Sequence, residues 1–216
     1  LRCWGHGALQ QPAIRVALGP AVAEGWSRDG RLLEPLQTLP IGLDPEDLPQ
    51  QRMLGQGRQQ RVIVLAGRNP GLGLAVQEQL RARGLTCSTE LSPWPFQRWL
   101  KAMAEAAVAI VLAPQSAQPM LSLRHLAAMA LQTPLVCDQH SHDDRLCRDG
   151  VNALVRSADA GALAEAAASV LANPSLQRVL VDGGLATLVR HRRARERLQF
   201  DQLLDEHQQH WQQARA

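Results

Sequence analysis

The chain has 216 residues, of which 45% are hydrophobic, 20% charged and 3% aromatic, with no Tyr. A chain of that length buries roughly 70% of its unfolded surface, so one core built from Leu, Val, Ala and Ile is expected without help from metals or disulfides. The formal charge of +3 is too small to argue for a nucleic-acid partner, and none is expected.

Cys3, Cys87, Cys137 and Cys147 form no CxxC pair and are read as thiols, which fits a reducing, cytoplasmic location. No apolar run reaches the roughly 18 residues that a membrane span requires, and no signal peptide is visible. A start at Leu1 rather than Met reads as a fragment or a processed product.

In chain order, "AIRVAL" (13–18) is a short β-type run, and a weak helical patch follows around "PAVAEGW". A second β-type run is "LQTLPIGLD" (36–44). The polar, Gln-rich stretch 45–60, with its Pro and Gly, has the composition of a linker. From Arg61 a regular alternation begins: strand "RVIVLAG", helix "GLAVQEQLRARG", strand "LTCSTE", helix "PFQRWLKAMAEA", strand "VAIVLAP", helix "MLSLRHLAAMALQ", strand "PLVC". Short apolar runs separated by helices imply βαβ units with right-handed crossovers. The fold class is therefore α/β, a doubly wound parallel sheet covered on both faces. After Gly150 come a short "ALV" run, two helices in "ADAGALAEAAASVLA" and "PSLQRVLVDGGLATLV", and a long polar helix from about Arg192 to Gln213.

Ligands of such sheets bind beyond the carboxyl ends of the strands, which directs attention to the loops after Ala66, Glu90, Leu112 and Val136. In "VIVLAGRNPGLG" (62–73) a strand runs into Gly67, Arg68, Asn69 and a helix start. That order sets a guanidinium beside the open N–H groups and positive dipole end of the helix, which is a phosphate site in outline. A plainer reading stands beside it, with Gly67 and Gly71 serving only the turn and Arg68 facing water. Trp94 and Trp99 could stack on a base or sugar, although core or interface packing is the commoner use of such residues. The stretch "CDQHSHDDRLC" (137–147) carries thiolate and imidazole groups that zinc accepts, but as a single loop without two paired clusters it is read as a solvated polar loop, and no metal is expected. The basic run "RHRRARER" (190–197) is read as a solvated helix face, with peripheral membrane contact as its other use.

Six pieces in order, "LQTLPIGLDPEDL", "VIVLAGR", "AIVLAP", "LAAMALQTPLV", "CRDGVNALV" and "DAGALAEAAASVLANPSLQRVL", resemble the carboxyl-terminal half of family 4 glycosyltransferases, a retaining family of the GT-B fold. The resemblance covers roughly residues 13–213. It implies a Rossmann-like domain over 61–190, preceded by a remnant of the amino-terminal domain and crossover (1–44) and the linker (45–60), and followed by a carboxyl-terminal helix (191–216). It implies a nucleoside diphosphate sugar as donor substrate, no further cofactor, and an acceptor glycan, lipid or protein of unknown identity. Gly67 and Arg68 match the family's Gly-Arg, whose Arg contacts the donor diphosphate, with Asn69, Ser116 and Ser122 as helpers near the strand ends. His140 or His142 would lie in the loop beside the donor cleft.

Departures from the family pattern are equally specific. The Lys expected a few residues after Arg68 has no counterpart in "NPGLGL", and the family's Glu-x7-Glu motif falls on Pro119 and Ala127, so both acids are absent. Ser122 stands where the family's turn carries Gly, and its Cβ narrows the approach to phosphate. Two readings follow: a diverged glycosyltransferase, or a GT-B-like module that binds or scaffolds without catalysis. A dinucleotide-dependent oxidoreductase is disfavoured by the missing glycine fingerprint and ribose acid. Whether Glu90 or Asp138, which end neighbouring strands, replaces the lost acids is left open by the sequence.

Overall fold

The computed structural model describes residues 16–18, 37–39, 43, 48, 59–67, 69–92, 94–113, 123–141 and 146–213. Two short strands, β1 (Val16–Leu18) and β2 (Gln37–Leu39), pair in parallel as a small separate sheet. The helical patch expected between them lies outside the described residues. The main sheet holds β3 (Gln59–Leu65), β4 (Thr86–Glu90), β5 (Ala106–Val111), β6 (Leu135–Asp138) and β7 (Leu154–Arg156). All its pairings are parallel, in the order β4-β3-β5-β6-β7.

The doubly wound α/β arrangement read from the sequence is thus the one observed. β3 begins two residues ahead of the expected start at Arg61, because Gln59 pairs with Ala106 across an irregularity that precedes Val62. Ladder bonds join backbone groups, so polar residues extend a strand as readily as apolar ones.

Helices fill the crossovers: α1 (Pro70–Ala82), α2 (Phe96–Glu105), α3 (Leu123–Ala130), α4 (Ala160–Ala172) and α5 (Pro174–Leu188). A 3-10 turn (Val189–His191) leads into α6 (Arg193–Gln213). Short polar side chains start three of them. Asn69, Asp159 and Asn173 accept the backbone N–H three residues on, satisfying one of the donors that a helix start leaves open. α3 ends where Gln132 takes a positive φ of 52°, and Thr133 donates its N–H to Ala128 O at 2.8 Å and its hydroxyl to Met103 O at 3.0 Å.

Alternation along the strands divides the core into two layers. Val62, Val64, Val108, Ile110 and Val136 face one side, against Val76 and Leu80 of α1 and Leu163, Ala167 and Val170 of α4. Ile63, Leu65, Ala109, Val111 and Leu135 face the other, against Trp99, Leu100 and Met103 of α2 and Leu126 and Met129 of α3. Both sheet faces are therefore buried, which is why these strands read as continuous apolar runs. Leu43 and Leu48 pack into the second layer, and the Leu43 N–H reaches His191 O at 2.8 Å, so chain ahead of β3 is tied to the 3-10 turn that follows α5. α6 is polar and runs against β2. No helix among the described residues is long and apolar enough to cross a membrane.

The loop before β7 is braced by the buried Asn152, whose Nδ2 donates to Leu146 O (2.7 Å) and Thr187 Oγ1 (2.9 Å) while its Oδ1 accepts the Arg148 N–H (2.7 Å). α5 lies so close to this turn that a Cβ on Gly183 would overlap the Val151 carbonyl. Helix propensity alone favours Ala over Gly by about 1 kcal/mol. The overlap reverses that preference: Gly183→Ala is expected to lower stability by about 1–3 kcal/mol in urea titrations. Gly71→Ala, with nothing near its added methyl, is expected to stay within about 0.5 kcal/mol of the parent chain.

Candidate functional site

The strand order reverses between β3 and β5, so the crevice expected to take a ligand opens at their carboxyl ends, bounded by Ala66–Gly67 and Leu112–Ala113. Gly67 leaves β3 with φ of 54°, a conformation in which a Cβ is strained. Asn69 closes the turn through its N–H to Ala66 O (2.9 Å). Its side chain works in two directions, with Oδ1 accepting Leu72 N–H (3.4 Å) and Nδ2 donating to Ala113 O (3.3 Å). One residue therefore starts α1 and clips its first turn to the end of β5. Close packing is required as well, since a Cβ on Gly73 would stand 2.5 Å from that of Ala66. Pro70 has no N–H, and those of Leu72 and Gly73 go to Asn69, so the Gly71 N–H and the positive dipole end of α1 are what this turn offers an anion.

Of the sequence-derived site residues, Gly67 and Asn69 meet in this turn. Arg68, Ser116 and Ser122 lie outside the described residues, as does Pro119. Ala127, the other position of the lost acid pair, is fully buried in α3.

A cation that sequence reading did not assign stands at the same turn. The Arg124 guanidinium, carried by α3, comes so near Gly67 that a Cβ there would lie 3.1 Å from Nη1. It pairs with Glu90 at the end of β4: Nη2 donates to Oε1 at 2.9 Å, and Nη1 lies 2.8 Å from Oε2 without hydrogen-bond alignment. Glu90 Oε1 also accepts the Trp94 N–H at 2.7 Å, and the Trp99 ring lies 5.8 Å from the guanidinium carbon. The Glu90 carboxylate is fully buried, whereas Arg124 keeps 21% of its side chain exposed. Burying a carboxylate is costly unless it is paired and hydrogen-bonded, and here it is both. The segment "NPGLGL" after Arg68 carries no cation of its own. Only the fold brings one there from another helix.

Asp138, ending β6, is the second buried carboxylate of this edge. Its Oδ2 accepts the Ala113 N–H at 2.5 Å and its Oδ1 the His140 N–H at 2.8 Å, so each oxygen holds a strand end or loop start in place. Neither Glu90 nor Asp138 stands idle, and both position backbone.

In the loop 137–147, of which 142–145 with His142 lie outside the described residues, the described part differs from the solvated polar loop expected. Cys137, Ser141, Leu146 and Cys147 are buried, and of the described residues between them only Gln139 and His140 are exposed. The reason is geometric: all four residues of β6 are covered on both faces, and the chain returns to the core at Leu146. Trp99 is buried and meets Phe96 edge-on at 5.1 Å, and half-buried Trp94 lies under the Arg98 guanidinium at 4.3 Å. Both tryptophans therefore serve packing. Burial pushes the Cys87 thiol pKa up against the opposing pull of Arg81, which disfavours the thiolate form.

No family model and no curated protein matches the sequence. Solved structures do match. Sucrose-phosphate synthase from Thermosynechococcus elongatus is 16% identical with a TM-score of 0.67, over 93% of this chain and 60% of that one. Anabaena HepE, solved with UDP and glucose, is 14% identical with a TM-score of 0.72, over 92% of this chain and 64% of that one. An α,α-trehalose-phosphate synthase (UDP-forming) from Burkholderia vietnamiensis is 14% identical with a TM-score of 0.63, over 88% of this chain and 61% of that one. The chain spans less than two thirds of each. At this identity the likeness establishes the fold, that of a GT-B Rossmann-like domain.

Breaking the buried pair from one side strands a charge. Arg124→Leu is expected to cost about 3 kcal/mol in urea unfolding, at the low end for a buried pair because Arg124 is partly exposed. The Glu90→Leu/Arg124→Leu double variant is expected to be more stable than Arg124→Leu alone, since no buried charge is then left without a partner.

Proposed function

We propose that this chain is the donor-binding half of a retaining, family 4-like GT-B glycosyltransferase, and that the crevice between β3 and β5 takes a nucleoside diphosphate sugar. The observation that carries the reading is the Arg124 guanidinium held against the Gly67 turn, at the amino end of α1. A diphosphate there would meet the positive end of α1, with the Gly71 N–H, and a cation whose planar fork suits phosphate oxygens. Glu90 fixes that fork in orientation ahead of binding. HepE and the trehalose-phosphate synthase, whose descriptions name UDP, support the choice of ligand class. By the resemblance, Arg68 would share the diphosphate, with Ser116 and Ser122 as further contacts and no metal or other cofactor in the transfer.

The sugar end of the site is the divergent part. With Ala127 and Pro119 in place of two acids, neither carboxylate role of the family's motif is filled by these positions. Each such hydrogen bond is worth roughly one to a few kcal/mol in a transition state, or about 10- to 100-fold in rate. Donor binding depends on the diphosphate and base and survives that loss; rapid transfer does not. An acceptor site and any second domain would be supplied outside the described residues, with the exposed Arg190, Arg193, Arg195 and Arg197 offering a peripheral membrane contact.

The second reading, a GT-B-like module without catalysis, draws on the same ion pair: Glu90 already occupies the Arg124 fork, and a pair that never opens toward a ligand would cap the crevice. Calorimetric titration of the chain with UDP, GDP and NAD separates the two. Under the proposal, UDP or GDP binds and Arg124→Gln weakens it by about 10- to 100-fold in a variant shown by circular dichroism to be folded. Binding of neither nucleotide by the folded parent chain gives the module reading, and NAD binding in their place refutes both.

A further inference from the structure

His125 on α3, Cys137 on β6 and Cys147 on the returning loop are all buried, with ligand atoms within 4.8 Å of one another. They come from three separate segments and sit on the second core layer. His125 Nε2 is 3.2 Å from Ser141 Oγ, and that hydroxyl donates its own hydrogen to Asp138 O at 2.8 Å. With the hydroxyl proton spent on a carbonyl, Ser141 Oγ can only accept from the ring. In the neutral ring this assigns the proton to Nε2 and leaves Nδ1 a bare lone pair. That Nδ1 is buried without a hydrogen-bond partner. Leaving a buried acceptor unsatisfied is unfavourable, and native structures avoid it unless something else fills the role.

We propose that His125, Cys137 and Cys147 form a zinc site that fastens the β6 loop to α3. Two cysteines and a histidine are the ligand types zinc selects, and a ligating His whose other nitrogen is oriented by a hydrogen bond is the usual arrangement around the metal. Binding releases two thiol protons, and two thiolates then balance the dication, so the buried site carries no net charge. Tetrahedral coordination sets ligand atoms about 3.5–3.8 Å apart, which requires the three groups to close by up to about 1 Å through side-chain rotation. One coordination position is left for water. The site adjoins Asp138, whose carboxylate holds the ends of β5 and β6 together, and the zinc would stiffen that edge of the crevice. Its test does not depend on the donor-binding reading.

The full chain, purified without a metal-affinity tag in zinc-supplemented medium, is analysed for metal and thiols. Roughly one zinc per chain is expected, lost in both Cys137→Ser and Cys147→Ser. Chelation is expected to lower Tm by about 5–15 °C, as loss of a tightly bound ligand does for a chain of this size. If a variant fails to fold, cobalt(II) added to the metal-stripped parent chain reports directly through a thiolate-to-metal charge-transfer band in the near ultraviolet. No bound zinc and no charge-transfer band overturns the proposal, as does zinc that both serine variants retain. A Cys137–Cys147 disulfide found by mass under non-reducing conditions would overturn it too, because the two sulfurs would then serve each other.

Discussion

Two buried carboxylates hold the carboxyl edge of the sheet together, Glu90 ending β4 and Asp138 ending β6. A parallel sheet covered on both faces satisfies its strand interiors with ladder bonds, but its ends need partners of another kind. Asp138 accepts one N–H from the end of β5 and one from its own loop, and Glu90 accepts a backbone N–H and the Arg124 guanidinium. Each acid is tolerable inside the protein because its oxygens are engaged. Everything at the crevice is placed by these ties: the Gly67 turn lies next to Arg124, and Asn69 reaches across to the same Ala113 whose N–H Asp138 accepts.

That economy separates what an anion site needs from what a transfer site needs. Anion binding asks for a positive helix end and a cation in fixed orientation, and the proposed function rests on the amino end of α1 and Arg124 for these. Sugar transfer asks in addition for groups complementary to charge that develops away from the phosphates. The two acids that occupy those positions in the family it resembles are missing here, and the nearest buried carboxylates are committed to backbone.

The loop after β6 shows a second use of the same edge. Its start is pinned by Asp138 and Ser141, and its end returns to the core at Leu146 and Cys147, where Asn152 fastens it to α5. Between these anchors lies the imidazole of His125 with one nitrogen unsatisfied. A metal there would lock a loop that borders the crevice, which couples stability to the site's shape.

Local patterning determined the elements: runs such as "RVIVLAG" and "VAIVLAP" identify doubly covered strands, and stretches such as "GLAVQEQLRARG" and "PFQRWLKAMAEA" the helices between them, because each rests on interactions within a few residues. The Gly67–Asn69 turn was legible for the same reason. What the tertiary structure alone decided was which distant groups meet. Arg124 reaches the Gly67 turn from another helix, Glu90 gains its partner across 34 positions, and His125 joins two cysteines that the sequence had assigned to a polar loop. Burial of a charge or an imidazole depends on neighbours brought together by sheet order and crossover packing, and a single chain read in order carries no record of that adjacency.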